Sequence, residues 1–170
     1  MAEASPFRPE RILAALERHG VEYVLIGGLA ATLHGAAHLT TDVDITPKED
    51  PDNLARLSDA LRELGARVRS GQGAAEALPF AHDAASLAKA RIWNLTTEAG
   101  DLDITFVPSG TQGYEDLRRD AVTIRVRGVQ VPLASLADVI RSKEAADRPR
   151  DRAALPGLRT LLEHQRGGSA

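Results

Sequence analysis

The chain has 170 residues, 43% of them hydrophobic and 26% charged, with a formal net charge of −3, which is the profile of one globular domain. It contains no cysteine, and this excludes disulfides, thiolate zinc sites and cysteine nucleophiles. Charge is uneven: residues 1–117 carry 10 Lys/Arg against 18 Asp/Glu, and residues 118–170 carry 11 against 6, so an acidic part suited to cations precedes a basic part suited to phosphates.

In chain order, Pro9–Gly20 reads as an amphipathic helix, with Pro near its start and Ile12, Leu13 and Leu16 on one face. Glu22–Gly27 is a short apolar strand, and Gly28–Ala36 a helix of small residues. Asp42–Thr46, "DVDIT", alternates with period two and predicts a strand. Pro51–Gly65 places Leu54, Leu57, Leu61 and Leu64 at helical spacing. Arg69–Ala90 is irregular, with a short helix near Ala84–Lys89, and has the character of a lid or binding loop. Arg91–Pro108 predicts a hairpin turning at Glu98–Gly100, Gly113–Ala121 a short helix, and Val122–Leu133 a second hairpin about Gly128. Ser135–Arg148 and Pro149–Arg166 predict a helical pair, the second kinked or split by Pro156. The strands and helices do not alternate strictly, so the expected fold class is a mixed α/β sheet with a C-terminal helical pair. No apolar run reaches membrane-spanning length and the N-terminus lacks a signal pattern, so a cytoplasmic location and no membrane partner are expected.

Residues i and i+2 of a strand share a face, so Asp42 and Asp44 project together, and their repulsion is relieved if a divalent cation sits between them. Mg²⁺ takes oxygen ligands and is often shared between carboxylates and substrate phosphates. A third carboxylate comes from "DLDITF", where Asp103 precedes Ile104-Thr105 as Asp44 precedes Ile45-Thr46. Asp101 shares that face but lies at the turn, so Asp103 is preferred. Gly27-Gly28 closes a strand and opens a helix, a place where backbone can approach a phosphate closely. It is neither a P-loop nor a dinucleotide fingerprint, since no Gly-Lys-Ser/Thr and no G-x-G-x-x-G is present. Thirteen residues separate Gly28 from Asp42, enough for a helix and a return to an adjacent strand, so the cradle and the carboxylates are expected to face one cleft.

Gly-Gly, thirteen residues, Asp-Val-Asp and then a separate strand carrying Asp together resemble the nucleotidyltransferase superfamily related to DNA polymerase β. Within it the chain is most similar to minimal bacterial members, including the AbiEii-like abortive-infection toxin group. "LTTDVDI", "NLTTEAGDLDITFVPSG", "GYEDLRRDA" and "VPLASLADVIRSKEAADRPRDRAALPGL" resemble successive blocks of that group, over roughly residues 10–165. The resemblance implies a catalytic core over 8–133, a helical appendage over 134–166, and flexible termini at 1–7 and 167–170. It implies that Gly27 and Gly28, with Thr41, hold the triphosphate of an NTP such as ATP. Asp42 and Asp44 would bind Mg²⁺ or Mn²⁺, and Asp103 would activate the attacking hydroxyl and complete the metal site. Lys143 and Asp151 sit in a "K…A..R.RD" pattern, with Lys143 a contact to the triphosphate and Arg148 and Arg150 weaker candidates. Relatives often carry Arg four residues before the first aspartate; this chain has His38, so either His38 or Thr40 takes its place or this region differs from theirs.

The expected function is transfer of a nucleoside monophosphate from NTP to a hydroxyl of RNA such as tRNA, or of a protein, in a toxin–antitoxin setting with a cognate antitoxin or toxin as partner. Two alternatives stand beside it. One is a non-catalytic nucleotide- or partner-binding module, which the intact aspartate set disfavours. The other is an antibiotic-modifying nucleotidyltransferase, against which the small size of the C-terminal part argues. His34 is expected to pack or hydrogen-bond on its helix, Trp93 to sit in the core, and His19, His82 and His164 to have no role in the site.

Overall fold

The structure, a computed structural model, describes residues 6–69 and 81–168. The lid expected within Arg69–Ala90 lies in part outside the described residues, as do the outermost termini.

Helix α1 (Pro9–Arg18) buries Ile12, Leu13 and Leu16, the face its spacing predicts. Strand β1 (Tyr23–Ile26) runs directly into α2 (Gly27–Leu33), which starts one residue earlier than expected. Strand β2 (Asp42–Pro47) leads to α3 (Pro51–Glu63), which is capped by the Asp50 carboxylate accepting from the Asn53 N–H at 2.8 Å. A two-residue strand, β3 (Arg67–Val68), and a capped turn of helix, α4 (Ala84–Leu87), precede the hairpin β4 (Ile92–Thr97) and β5 (Gly100–Thr105). Then come α5 (Tyr114–Arg118), the hairpin β6 (Val122–Val126) and β7 (Val129–Leu133), α6 (Leu136–Ala146) and α7 (Pro149–Gly167).

The strands form one seven-stranded mixed sheet in the order β3-β4-β5-β2-β1-β7-β6. Pairs β2–β5 and β1–β7 are parallel and the others antiparallel. One face is apolar: Val43, Ile45, Leu95, Leu102 and Ile104 are wholly buried, in one cluster with Leu54, Leu57 and Leu61 of α3 and the buried face of α1. Burying that face supplies most of the drive to fold, at about 25 cal/mol per Å² of apolar surface. Pleating then forces the alternate residues of β2 and β5 onto the other face, and those residues are the aspartates.

Trp93 packs against the core and donates its indole N–H to the Leu87 carbonyl at 3.0 Å, as a core role predicts. His34 hydrogen-bonds the Ala134 carbonyl at 2.7 Å, tying α2 to the start of α6. Pro156 does not split the last helix: α7 is continuous through it. Proline removes one backbone donor from the helix, but α7 is held on either side, by Leu155 and Leu158 in the core and by the Thr160 hydroxyl donating to the Pro156 carbonyl at 3.1 Å. No helix among the described residues is long and apolar enough to cross a membrane.

Candidate active site

Parallel pairing of β2 with β5 sets Asp42 opposite Asp101 and Asp44 opposite Asp103. One oxygen from each of Asp42, Asp44 and Asp103 lies within 4.8 Å of the others. Such a set of carboxylate oxygens is what a hard divalent cation takes, so these residues fit Mg²⁺ or Mn²⁺. Their electrostatics are those of a site that needs a cation. The Asp44 carboxyl is pushed up to about 7, by burial first and then by the charges of Asp42 and Asp103, while Arg150 and Lys143 act against the rise. Asp103 is pushed up to about 6: burial raises it, the Arg69 guanidinium opposes, and Asp42 and Asp101 add to the rise.

The triad lies in a cleft of about 660 Å³ bounded by β2, β4 and β5 on one side and by α6 and the start of α7 on the other. Gly27, Gly28, His38, Thr40, Thr41, Lys143, Arg148 and Arg150 also line it, so the glycine turn and the carboxylates face one space. Gly27 has φ +73°, and a Cβ there would overlap the Asp44 carboxylate. Glycine at this point lets the backbone pass directly beside the second aspartate. At Gly28 a Cβ would stand 2.9 Å from His38 Nε2 and 3.2 Å from Thr40 Oγ1, so the His38 ring lies over the turn. Thr40 donates its hydroxyl to Asp42 Oδ1 at 3.0 Å, which fixes the first carboxylate.

Two of the residues singled out from sequence stand outside the triad. Asp151 is wholly buried and does not line the cleft. It accepts from Arg148 Nε at 2.6 Å and Nη2 at 3.2 Å, and Lys143 Nζ stands 3.5 Å away. Burial would raise the Asp151 carboxyl, but the Arg148 hydrogen bonds, with the charges of Arg148 and Lys143, hold it below the usual range. It therefore sets where the two cations point. Asp101 is paired with Arg69 Nη1 at 2.5 Å.

Arg69 is a residue of the site that sequence reasoning does not find. Its Nη2 meets Asp103 Oδ1 at 2.7 Å, and its backbone N–H donates to the Asn94 carbonyl at 2.9 Å, extending the β3–β4 ladder. A two-residue strand has no period to read, and a lone arginine at the head of an irregular stretch carries no sequence signal.

No protein-family model matches the sequence, and neither does any curated protein. Solved structures do. The lincosamide antibiotic adenylyltransferase LnuA, bound to lincomycin, is 17% identical, with 92% of this chain and 99% of that one covered and a TM-score of 0.61. ANT(2'')-Ia, in complex with adenylyl-2''-tobramycin, is 16% identical, with 95% and 97% covered and a TM-score of 0.54. An antigenic nucleotidyltransferase-like protein from Paracoccidioides brasiliensis is 14% identical, with 93% and 78% covered and a TM-score of 0.50. At these identities the likeness is one of architecture, and it makes the seven-stranded mixed sheet with its flanking helices a nucleotidyltransferase fold.

Proposed function

We propose that the chain is a metal-dependent nucleotidyltransferase that moves a nucleoside monophosphate from NTP to an acceptor hydroxyl. The observation that carries this reading is the convergence of Asp42, Asp44 and Asp103 in one cleft with Gly27, Gly28 and Lys143. Asp42, Asp44 and Asp103 would hold Mg²⁺ or Mn²⁺, which when bound supplies Lewis-acid polarisation of phosphoryl oxygens. The Gly27-Gly28 turn admits phosphate close to the backbone, and Lys143, Arg148 and Arg150 offer countercharge to the triphosphate. The acceptor oxygen attacks the α-phosphorus, the bond from that phosphorus to the oxygen bridging to the β-phosphate breaks, and pyrophosphate leaves. Asp103 would receive the hydroxyl proton as general base.

ATP is the first nucleotide to test, because one structurally similar protein is an adenylyltransferase and another is bound to an adenylyl-tobramycin. The objection that an antibiotic-modifying enzyme needs a larger acceptor domain falls, since nearly the whole of LnuA and of ANT(2'')-Ia is matched by this chain. A second reading is a toxin acting on tRNA or a protein, with a cognate antitoxin. The observation favouring it is that Lys143, Arg148 and Asp151, the residues of the AbiEii-like pattern, meet in space. Incubation with each α-labelled NTP, Mg²⁺ or Mn²⁺, and tRNA, lysate protein and small-molecule acceptors tests the reading. Wild type is expected to transfer label and Asp44→Ala to lose it by about 100-fold or more, the scale of removing one charge-stabilising group. Absence of transfer to every acceptor would overturn the enzymatic reading, and equal labelling by Asp44→Ala would overturn the site.

A further inference from the structure

We infer that the acceptor subsite beside Asp103 takes an uncharged, partly apolar hydroxyl compound of small size, an inference that rests on the nucleotidyltransferase reading above. The cleft divides by charge. Its α6–α7 wall carries Lys143, Arg148 and Arg150 and suits the triphosphate. The acceptor is then left the β4–β5 side, where Asp103 stands.

On that side the sheet register sets Asn94 opposite Asp103 and Ile92 opposite Thr105, all on the carboxylate face. Ile92 is 56% exposed and lines the cleft, as do Asn94 and Thr105. Beside the Arg69–Asp101 pair, the described cleft surface of β4 and β5 next to Asp103 thus offers an exposed apolar side chain and neutral hydrogen-bonding groups.

Among the described residues, the charges nearby are paired with one another. Arg69 holds both Asp101 and Asp103, and Arg91 meets Glu49 at 2.8 Å. A polyamine needs unpaired carboxylates for its ammonium groups, and neither Asp101 nor Glu49 is one. A nucleic acid needs cations for its phosphates and aromatic faces for its bases. Both arginines are ion-paired, and no Phe, Tyr or Trp side chain lines the cleft among the described residues. An uncharged, partly apolar molecule instead covers Ile92 and finds partners in Asn94 and Thr105, with no ion pair to break.

The test uses the full chain with α-labelled ATP and Mg²⁺ in four arms: total tRNA, tobramycin as a polyamine, lincomycin at a pH where its single amine is neutral, and the cation-exchange flow-through of a low-molecular-weight cell extract. Label in lincomycin or in the flow-through supports the inference. Label in tRNA or tobramycin overturns it and leaves the enzymatic reading standing. No label in these arms while lysate protein is labelled overturns this inference and leaves the enzymatic reading standing; no label in any acceptor, lysate protein included, with any NTP and with Mg²⁺ or Mn²⁺ removes both. Ile92→Asp then checks the location, since an exposed position tolerates the change in folding. It is expected to raise KM for the labelled acceptor by about tenfold or more, the scale of one altered pocket contact, with KM for ATP unchanged. A KM for the acceptor that does not move, or that moves together with that for ATP, would overturn the placement.

Discussion

Asp44 shows how one side chain is costly to the fold and useful to the site. In water a carboxylate is ionised at neutral pH, yet here burial and two like-charged neighbours raise its pKa to about 7. A group raised on folding contributes stability that is present below its unfolded pKa and lost as pH rises through its folded one. Metal-free protein is therefore expected to lose stability between about pH 4 and pH 7, at roughly 1.4 kcal/mol for each pH unit crossed and so a few kcal/mol in all. Asp44→Asn removes that ionisation and should be the more stable protein at pH 8 in EDTA, while Mg²⁺ should raise the melting temperature of wild type and not of the variant. Thermal melts from pH 5 to pH 8, with and without metal, check this; parallel curves for the two proteins would contradict it. The pairing of Asp42 with Asp44 is legible from their spacing alone, because period two dictates a shared face. That His38 lies over Gly28, and that Arg69 clasps Asp103, is not legible. Each depends on a side chain reaching a distant or irregular segment, which local pattern does not encode.

Among the elements, the readable ones repeat a period for several turns. α1, α3 and both hairpins follow from apolar spacing and from the turn residues between strands. The parallel register of β2 and β5 can be anticipated only from their likeness, "DVDIT" against "DLDIT", which the structure lays side by side. β3 escapes a sequence reading, being two residues long. The α6–α7 pair is legible, but not that its junction is built around a wholly buried acid. Asp151 binds Arg148 through backbone and side chain and stands beside Lys143, so it joins the end of one helix to the first turn of the next. Asp151→Ala leaves Lys143, a largely buried ammonium, without that partner. Breaking such a pair is expected to cost roughly 3 kcal/mol, measured by denaturant unfolding, and to raise KM for NTP as Lys143 and Arg148 lose their anchor. Because the Asp151 carboxyl is held low, its contribution persists at neutral pH and is lost only as pH falls through that lowered value. Asp151→Asn should restore part of the stability. A variant as stable as wild type would show that the junction is held by packing alone.

Across the whole molecule, the uneven charge of the sequence becomes the division of the cleft. The acidic residues 1–117 supply the three carboxylates on the sheet, and the basic residues 118–170 supply Lys143, Arg148 and Arg150 on the facing wall. Folding brings the two together near enough for Lys143 and Arg150 to be felt by Asp44. If the halves divide the labour in this way, metal and nucleotide binding are separable by mutation. Lys143→Ala combined with Arg150→Ala should weaken NTP binding about 30–900-fold, the loss of two charge-assisted contacts at about 1–2 kcal/mol each. It should also flatten the dependence of NTP binding on salt, since fewer charges are then screened. Mn²⁺ binding in the absence of nucleotide, followed by titration calorimetry, should survive, because the three carboxylates remain. Asp44→Asn should do the reverse, lowering Mn²⁺ affinity while leaving the basic wall in place. Loss of both affinities in the double alanine variant would mean that the cations hold the carboxylates in position rather than the phosphates, and that the two walls of the cleft act as one.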